Sequence, residues 1–292
     1  MEKVLSFGKF RFFPIKDLEF WQNQRQRTLV TSTVCGLLLL FIFITAFLMG
    51  DAGLSTQLSL RKLPPSLQHP FGTDWLGRDM LTRTVKGLCL SLQVGLAAAT
   101  ISAVIALILG LLSAGPSRNI DRLITGIVDV CMSMPHLVLL ILISFVMGGG
   151  ARGVIVAVAA SHWPRLTRII RAEVLQLKCM PYIRLTAKFG KSQLWIACHH
   201  MAPHMIPQFL VGTLLLFPHA ILHAAGLSFL GFGLSPHTPA IGILLSESMR
   251  YLSTGYWWLA VMPGVTLVAT IKLFDILGHG VRILLTPKSS QL

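Results

Sequence analysis

The side chains of this sequence best suited to chemistry in an apolar setting are histidines and methionines. His219 and His223 lie four residues apart in a stretch without Lys, Arg, Asp or Glu that runs from Ser192 to Ser246. A helix there would carry both imidazoles on one face. Imidazole nitrogens and thioether sulfurs suit soft or borderline metal ions such as nickel. The spacing predicts a polar, metal-compatible face on an apolar helix.

A second polar group precedes this one in the chain. Asp129 is followed within two turns by two methionines, a proline and a histidine. Ionisable residues in a bilayer usually face a cavity or a partner. The residues that would line such a cavity, and a translocation path if the chain transports a solute, are Asp129, Met132, Met134, His136, His219 and His223. Two interpretations stay open: His219 and His223 act as transient metal ligands, or the imidazoles form hydrogen bonds within a helix bundle while methionines fill gaps. No permanent metal site is assigned.

The sequence lacks the common motifs for nucleotide hydrolysis and for metal-dependent hydrolysis. There is no G-x-x-x-x-G-K-[ST] loop to hold nucleotide phosphates, so the chain cannot hydrolyse ATP by that route. There is also no H-E-x-x-H or comparable pairing of metal ligands with a base, which disfavours an integral-membrane metalloenzyme. A stand-alone channel is a further alternative.

Composition places these residues in a membrane protein. Of 292 residues 53% are hydrophobic and only 12% are charged, which is too apolar for an ordinary soluble domain. The net charge of +14 does not indicate nucleic acid, because most Lys and Arg flank apolar runs and no face combines basic with aromatic residues.

Six apolar runs can cross a bilayer, and their flanking charges orient them. The predicted organisation is a cytoplasmic amphipathic tail over 1–27 that lies against membrane lipid, a first span over 28–50, an extracytoplasmic segment over 51–87, a core with five spans over 88–283, and a cytoplasmic tail over 284–292. Segments assigned to the cytoplasm hold 17 of the basic residues and those assigned outside hold seven. Cytoplasmic loops are the ones enriched in Lys and Arg, so both termini are expected inside.

The five later spans are predicted over 88–116, 123–150, 153–164 with the first turn of the next segment, 205–231 and 256–277. The cluster G-T-D-W-L-G-R-D precedes the second span. It predicts a turn in which Arg78 and Asp79 can pair, followed by the start of a helix.

A basic loop over 165–205 separates the fourth and fifth spans. It holds seven Lys or Arg and one acid, Glu173. Residues from Tyr182 to Phe189 read as a short amphipathic helix that begins after Pro181 and ends near Gly190. Such a helix could contact a protein outside the membrane, or the charges could serve only to fix the orientation of the chain.

The string P-Y-I-R-L-T-A-K-F-G-K-S-Q-L-W-I-A-C-H-H-M-A-P-H resembles the coupling loop of ABC importer permeases in its dipeptide, oligopeptide and nickel version. The matching positions are Pro181, Tyr182, Ala187, Gly190, Ser192, Ile196, His200 and Pro203. The Glu-Ala-Ala of the family signature is replaced by Arg184, Leu185 and Thr186.

Three further blocks resemble the same family between about residues 64 and 288. H-P-F-G-T-D-W-L-G-R-D, at 69–79, is similar to a block that follows the first span of the C-type permeases. L-S-F-L-G-F-G, at 227–233, with Pro236, Pro239 and Gly242, resembles a second block. The closing segment is similar at Pro263, Gly264, Phe274, Leu277, Gly278, Gly280 and Arg282.

This resemblance implies an all-α type I ABC importer permease fold with six transmembrane helices in the bacterial inner membrane. It implies a second permease subunit, two cytoplasmic ATPase subunits that bind ATP and Mg²⁺, and an extracytoplasmic binding protein, while this chain binds no cofactor. The coupling residues would be Pro181, Tyr182, Arg184, Leu185, Thr186, Ala187, Lys188 and Gly190. The segment L-H-A-A-G-L-S-F-L-G looks most like nickel-type members, so nickel or a small nickel chelate is the expected cargo. A dipeptide or oligopeptide is the alternative.

Overall fold

The computed structural model describes residues 24–115, 117–235 and 238–285, which form helices, turns and one isolated bridge. The N-terminal tail to residue 23, Pro236 and the residues beyond 285 lie outside the described part. The helices are α1 (Gln24–Leu48), α2 (Met80–Ser113), α3 (Arg118–Ser133), α4 (His136–Val146), α5 (Gly150–Lys178), α6 (Pro181–Lys188), α7 (Gln193–Ile196), α8 (Ala202–Phe229), α9 (Ile241–Leu252) and α10 (Trp258–Leu285). A π-helical turn, Ala197–Met201, joins α7 to α8.

Four continuous helical segments in the described part are long and apolar enough to cross a membrane: α1, α2, α8 with its π-helical turn, and α10. A fifth span is possible if α3 and α4 are counted together. The predicted span over 123–150 is not one straight helix, because α3 and α4 meet at an angle of 100°. Pro135 explains the break: the residue before a proline avoids helical conformation, and Met134 is extended, with φ −82° and ψ 142°.

Helix α5 corrects the predicted start of the basic loop. The helix continues through Pro164 and ends only at Lys178, so the first third of the segment 165–205 is helical. Leu166, Ile170, Val174 and Leu177 follow helical spacing and are all buried. Of the Arg residues between them, Arg168 is exposed and Arg171 is half-buried. Burial of these apolar side chains stabilises the helix beyond the uncharged run that ends at Pro164.

The centre of the bundle is α2, which packs along α5 and α8. Two glycines allow this close contact. A Cβ atom added at Gly95 would lie 2.7 Å from Cγ1 of Ile221, and one added at Gly110 would lie 2.7 Å from Cγ2 of Ile170. Small residues at helix crossings let backbones approach in membrane proteins, as the composition of this run predicts.

The segment before α2 folds around a buried carboxylate, Asp74. Its oxygens accept hydrogen bonds from Arg78 Nε at 2.7 Å and Arg83 Nη1 at 2.6 Å. The predicted pairing of Arg78 with Asp79 is therefore wrong. Asp79 instead caps α2 by accepting from the backbone N–H of Thr82 at 2.8 Å. The predicted helix start is confirmed, although α2 begins at Met80, before the predicted span.

Candidate functional site

A cavity of about 290 Å³ opens where α3, α4, α5 and α8 approach one another. We call it the histidine cavity. It is lined by Cys131, Met132, Met134, His136, Ser161, His162, Pro164, Arg165, Leu216, His219 and His223. The break between α3 and α4 creates this site, because it turns the first residue of α4, His136, towards the other two helices. Proline at the break thus positions a polar side chain inside the bundle.

Three imidazoles from three helices meet in the cavity: His136 of α4, His162 of α5 and His223 of α8. Their ring centroids are 4.7 Å apart for His136 and His162, 4.6 Å for His136 and His223, and 5.1 Å for His162 and His223. One ring nitrogen of each lies within 4.8 Å of the others. The three rings meet edge to face rather than stacked.

The orientation of His162 is fixed by its own helix. Its Nδ1 lies 2.8 Å from the carbonyl oxygen of Val158, one turn earlier, and 3.0 Å from Oγ of Ser161. A carbonyl oxygen can only accept, so Nδ1 carries the proton and Nε2 presents a lone pair. Nε2 is buried and has no hydrogen-bond partner among the described residues.

The structure brings most of the predicted path residues to this cavity. Met132, Met134, His136, His219 and His223 all line it. Asp129 does not line it, but forms an exposed ion pair with Arg168 of α5. The part these residues play in transport stays a prediction. Sequence analysis missed His162, although an imidazole within an apolar run is itself a signal of a polar cavity in the bilayer.

The chemistry of the lining favours borderline metals or polar organic groups. The described lining residues offer imidazole nitrogens, thioether sulfurs and a thiol, but no carboxylate. Hard ions such as Mg²⁺ and Ca²⁺ take oxygen ligands, so the cavity suits them poorly. Arg165 contributes the one formal charge of the described lining.

A second candidate surface is the α6 tip, residues 181–190. Pro181 occupies the first turn of α6, and Gly190, with φ of +81°, follows the helix where a left-handed residue is favoured. Ile183 is buried and anchors the helix, whereas Tyr182, Leu185 and Phe189 are 45%, 53% and 83% exposed. The tip therefore presents three large exposed hydrophobic side chains among basic ones.

Neighbouring aromatic and cationic side chains brace this tip. The ring of Trp195 stacks on His199 with centroids 4.3 Å apart, and the ammonium of Lys191 lies 4.9 Å from the Trp195 ring centroid. Tyr182 meets His200 edge to face, with centroids 6.0 Å apart. These contacts connect α6 to the π-helical turn at the start of α8.

The basic face of α5 is also tied to neighbouring elements. Arg171 donates from Nε and Nη2 to the two carboxylate oxygens of Asp121, both at 2.7 Å. Nζ of Lys178 donates to the carbonyl of Gly115 at 3.2 Å. Burial lowers the pKa of the Lys178 ammonium, while the nearby Asp121 carboxylate opposes that shift. These charges therefore do more than set orientation: they attach the end of α5 to α3.

Residues 106–281 match the family model described as binding-protein-dependent transport system inner membrane component. The dipeptide transport system permease protein DppC of Bacillus subtilis is 33% identical over 92% of this chain and 84% of its own length. The di/tripeptide permease DppC of Pseudomonas aeruginosa is 31% identical over 94% of this chain and 92% of its own. The glutathione permease GsiD of Escherichia coli O6:K15:H31 is 34% identical over 92% and 90%. The expected special closeness to nickel permeases is not found among these relatives.

The fold is similar to a solved structure, an inward-facing conformation of the MetNI methionine ABC transporter. The match has a TM-score of 0.57 at 19% identity and covers 71% of this chain and 98% of the other. At that identity it supports the fold alone. With the family model and the relatives, it leaves the metalloenzyme alternative without support. The chain belongs to the binding-protein-dependent transport system inner membrane components: it is a multi-pass inner-membrane permease subunit of an ABC importer, not an enzyme.

Proposed function

We propose that this permease moves short peptides or peptide-like compounds into the cytoplasm, as one of two permease subunits in a heterodimer. The observation that carries the proposal is the kind of cargo named for its relatives. They are dipeptide, di/tripeptide and glutathione permeases, and they are 31–34% identical over nearly the whole chain. An extracytoplasmic binding protein delivers the cargo, and two cytoplasmic ATPases supply the energy. ATP and Mg²⁺ bind to those ATPases, and this chain binds no cofactor.

The proposed topology has six spans with both termini in the cytoplasm. The broken pair of α3 and α4 is the third span and the first half of α5 is the fourth. Two observations support this count. The excess of basic residues falls on the segments assigned to the cytoplasm. In α5 the charged residues other than Arg152 begin at Arg165, so the preceding turns can lie in lipid or protein.

The α6 tip is the proposed contact with an ATPase subunit. The residues involved are Pro181, Tyr182, Arg184, Leu185, Thr186, Ala187, Lys188 and Gly190. Exposed apolar side chains on a short helix held by neighbouring contacts are typical of a docking surface. Their burial against a partner lowers the free energy, because it removes apolar surface from water. ATP binding would move this tip, and the contacts from α6 to α8 and from α5 to α3 would carry the movement to the spans.

Nickel, free or as a small chelate, is a second candidate cargo. The convergence of His136, His162 and His223 is the specific observation in its favour, since imidazole is a preferred ligand of nickel.

Uptake by a strain that lacks only this chain tests both cargoes. Radiolabelled dipeptide and radiolabelled nickel would be supplied separately, and the strain complemented with the wild-type chain. Peptide uptake that is lost and then restored supports the main proposal. Loss and recovery of nickel uptake alone would favour the second candidate. If neither uptake changed, both cargo proposals would be wrong.

A further inference from the structure

The geometry points to a binding site for a divalent transition metal ion formed by His136, His162 and His223 inside the histidine cavity. We propose that these three imidazoles bind Ni²⁺, Co²⁺, Cu²⁺ or Zn²⁺, with the fourth position open towards the cavity. The metal-binding property needs only the chain and its fold. It rests on the proposed function only for the statement that the cavity lies on the transport path.

The first support is the convergence itself. Three ligands from α4, α5 and α8 have ring nitrogens within 4.8 Å of one another. A tetrahedral ion bound at about 2.0–2.1 Å from each nitrogen would need them roughly 3.3 Å apart. His136 and His223 are only half-buried, and rotation about their side-chain torsions can close that difference.

The second support is the buried Nε2 of His162. An unpaired polar atom in the interior costs free energy, so such atoms normally have a partner. The His162 ring packs against two other imidazoles, and its Nε2 has no partner among the described residues. Its Nδ1 donates to the Val158 carbonyl at 2.8 Å, the arrangement typical of metal-bound histidines, in which the second ring nitrogen fixes the tautomer and ring angle.

The rest of the lining determines which ions fit and how tightly. His219 lies on the cavity wall one turn before His223, and Met132 and Met134 add thioethers. Soft and borderline ligands without a carboxylate favour late first-row ions over Mg²⁺ or Ca²⁺. Three protein ligands leave one coordination position of a tetrahedral ion free. A nitrogen or oxygen atom of a peptide or amino acid can occupy that position.

Metal binding to the purified transporter tests the site. The full-length chain would be co-expressed with its partner subunits without a polyhistidine tag, and titrated with NiCl₂ by calorimetry and with CoCl₂ by visible absorption. The expected result is one ion per copy of this chain and a Co²⁺ spectrum typical of nitrogen ligands. His136→Ala and His223→Ala should each weaken Ni²⁺ binding more than about tenfold, because each removes a ligand. His279→Ala, an exposed histidine on α10, is the matched control and should leave the affinity unchanged.

His162→Ala removes a buried side chain and can impair folding, so it would be paired with His162→Gln and monitored by size-exclusion chromatography. Loss of Ni²⁺ binding in variants that still elute with the ATPase subunits supports the site. No stoichiometric binding by the wild type, or equal binding by wild type and a His136→Ala/His223→Ala double variant, would overturn it. Mg²⁺ binding, measured by titration with MgCl₂, should be the same for the wild type and for every histidine variant. Because the readout is binding, a result here does not depend on whether peptide uptake is found.

Discussion

Arg83 of α2 and Glu247 of α9 form an ion pair with 2.9 Å between Nη2 and Oε2, although 164 residues of sequence separate them. The Arg83 side chain is only 4% exposed, and its Nη1 also donates to Asp74. One guanidinium therefore joins the segment before α2, α2 itself and α9. This ion pair fixes the end of the bundle that the proposed topology places outside the cytoplasm, which is the outer face on which the proposed binding protein would dock.

Replacing Arg83 should destabilise that outer face. Arg83→Met removes the close partner of Glu247, which keeps only Arg78 at 3.8 Å, and one of the two Arg partners of Asp74. Removing one member of a buried pair costs about 3–5 kcal/mol. The purified complex should lose monodispersity at a clearly lower temperature, as measured by fluorescence-detected size-exclusion chromatography after heating. Arg250→Met, at an exposed position of α9, is the control and should leave that temperature unchanged. Equal thermal stability of the two variants would contradict the structural role of Arg83.

Close packing of α2 on α8 predicts a second difference in stability. Gly95→Val places a branched side chain where even a Cβ would lie 2.7 Å from Ile221, and overpacking of this kind costs about 1–3 kcal/mol. Gly36→Val in α1 has the same change in helix propensity but meets no atom within 4 Å of its Cβ. Thermal unfolding should therefore be earlier for Gly95→Val alone. A matching loss in Gly36→Val would assign the effect to propensity rather than packing.

The α6 tip predicts a defect in assembly. Leu185→Asp places a charge in the proposed contact with the ATPase, and loss of a central contact of more than about 1.4 kcal/mol weakens binding at least tenfold. Co-purification of the ATPase subunits would measure it. Leu58→Asp is the matched control, since Leu58 is 61% exposed in the outer segment and Leu185 is 53% exposed. Retention of the ATPase by Leu185→Asp would remove the α6 tip from the coupling surface.

The proposed topology predicts which side of the membrane labels each segment. In a variant whose five cysteines are replaced, Leu67→Cys should react with a membrane-impermeant maleimide added to spheroplasts, because Leu67 is fully exposed before α2. Lys188→Cys should react only after the membrane is permeabilised. Labelling of Lys188→Cys in intact spheroplasts would invert the topology and exclude the proposed ATPase contact.

Elements that depend on local pattern were predictable from the sequence. Pro181 and Gly190 mark the beginning and end of α6 because each has a backbone preference that acts without tertiary contacts. The start of α2 followed from the turn cluster that precedes it, whereas the capping role of Asp79 was not predicted. The second half of α5 was harder to predict. Leu166, Ile170 and Val174 follow helical spacing, but the basic residues around them are also typical of a loop, and only packing in the bundle buries the apolar residues.

The histidine cavity could be predicted only in part from the spacing of residues in the sequence. His219 and His223 could be placed on one face because both belong to α8. His162 belongs to α5, and its position beside His223 depends on how α5 and α8 cross. That crossing follows from the sum of packing along both helices, and the approach of His136 depends on the 100° turn at Pro135. A single sequence gives the residues but not these angles.

The length of α2 has a mechanical consequence. Its 34 residues span about 51 Å at 1.5 Å per residue, well beyond the roughly 30 Å of hydrocarbon that a bilayer offers. One continuous helix thus reaches from the ion pairs around Asp74 to the turn where Lys178 donates a hydrogen bond to the carbonyl of Gly115. A tilt of only about 5° about its middle would displace its two ends by roughly 2 Å in opposite directions. Motion at one membrane surface cannot leave the other surface still.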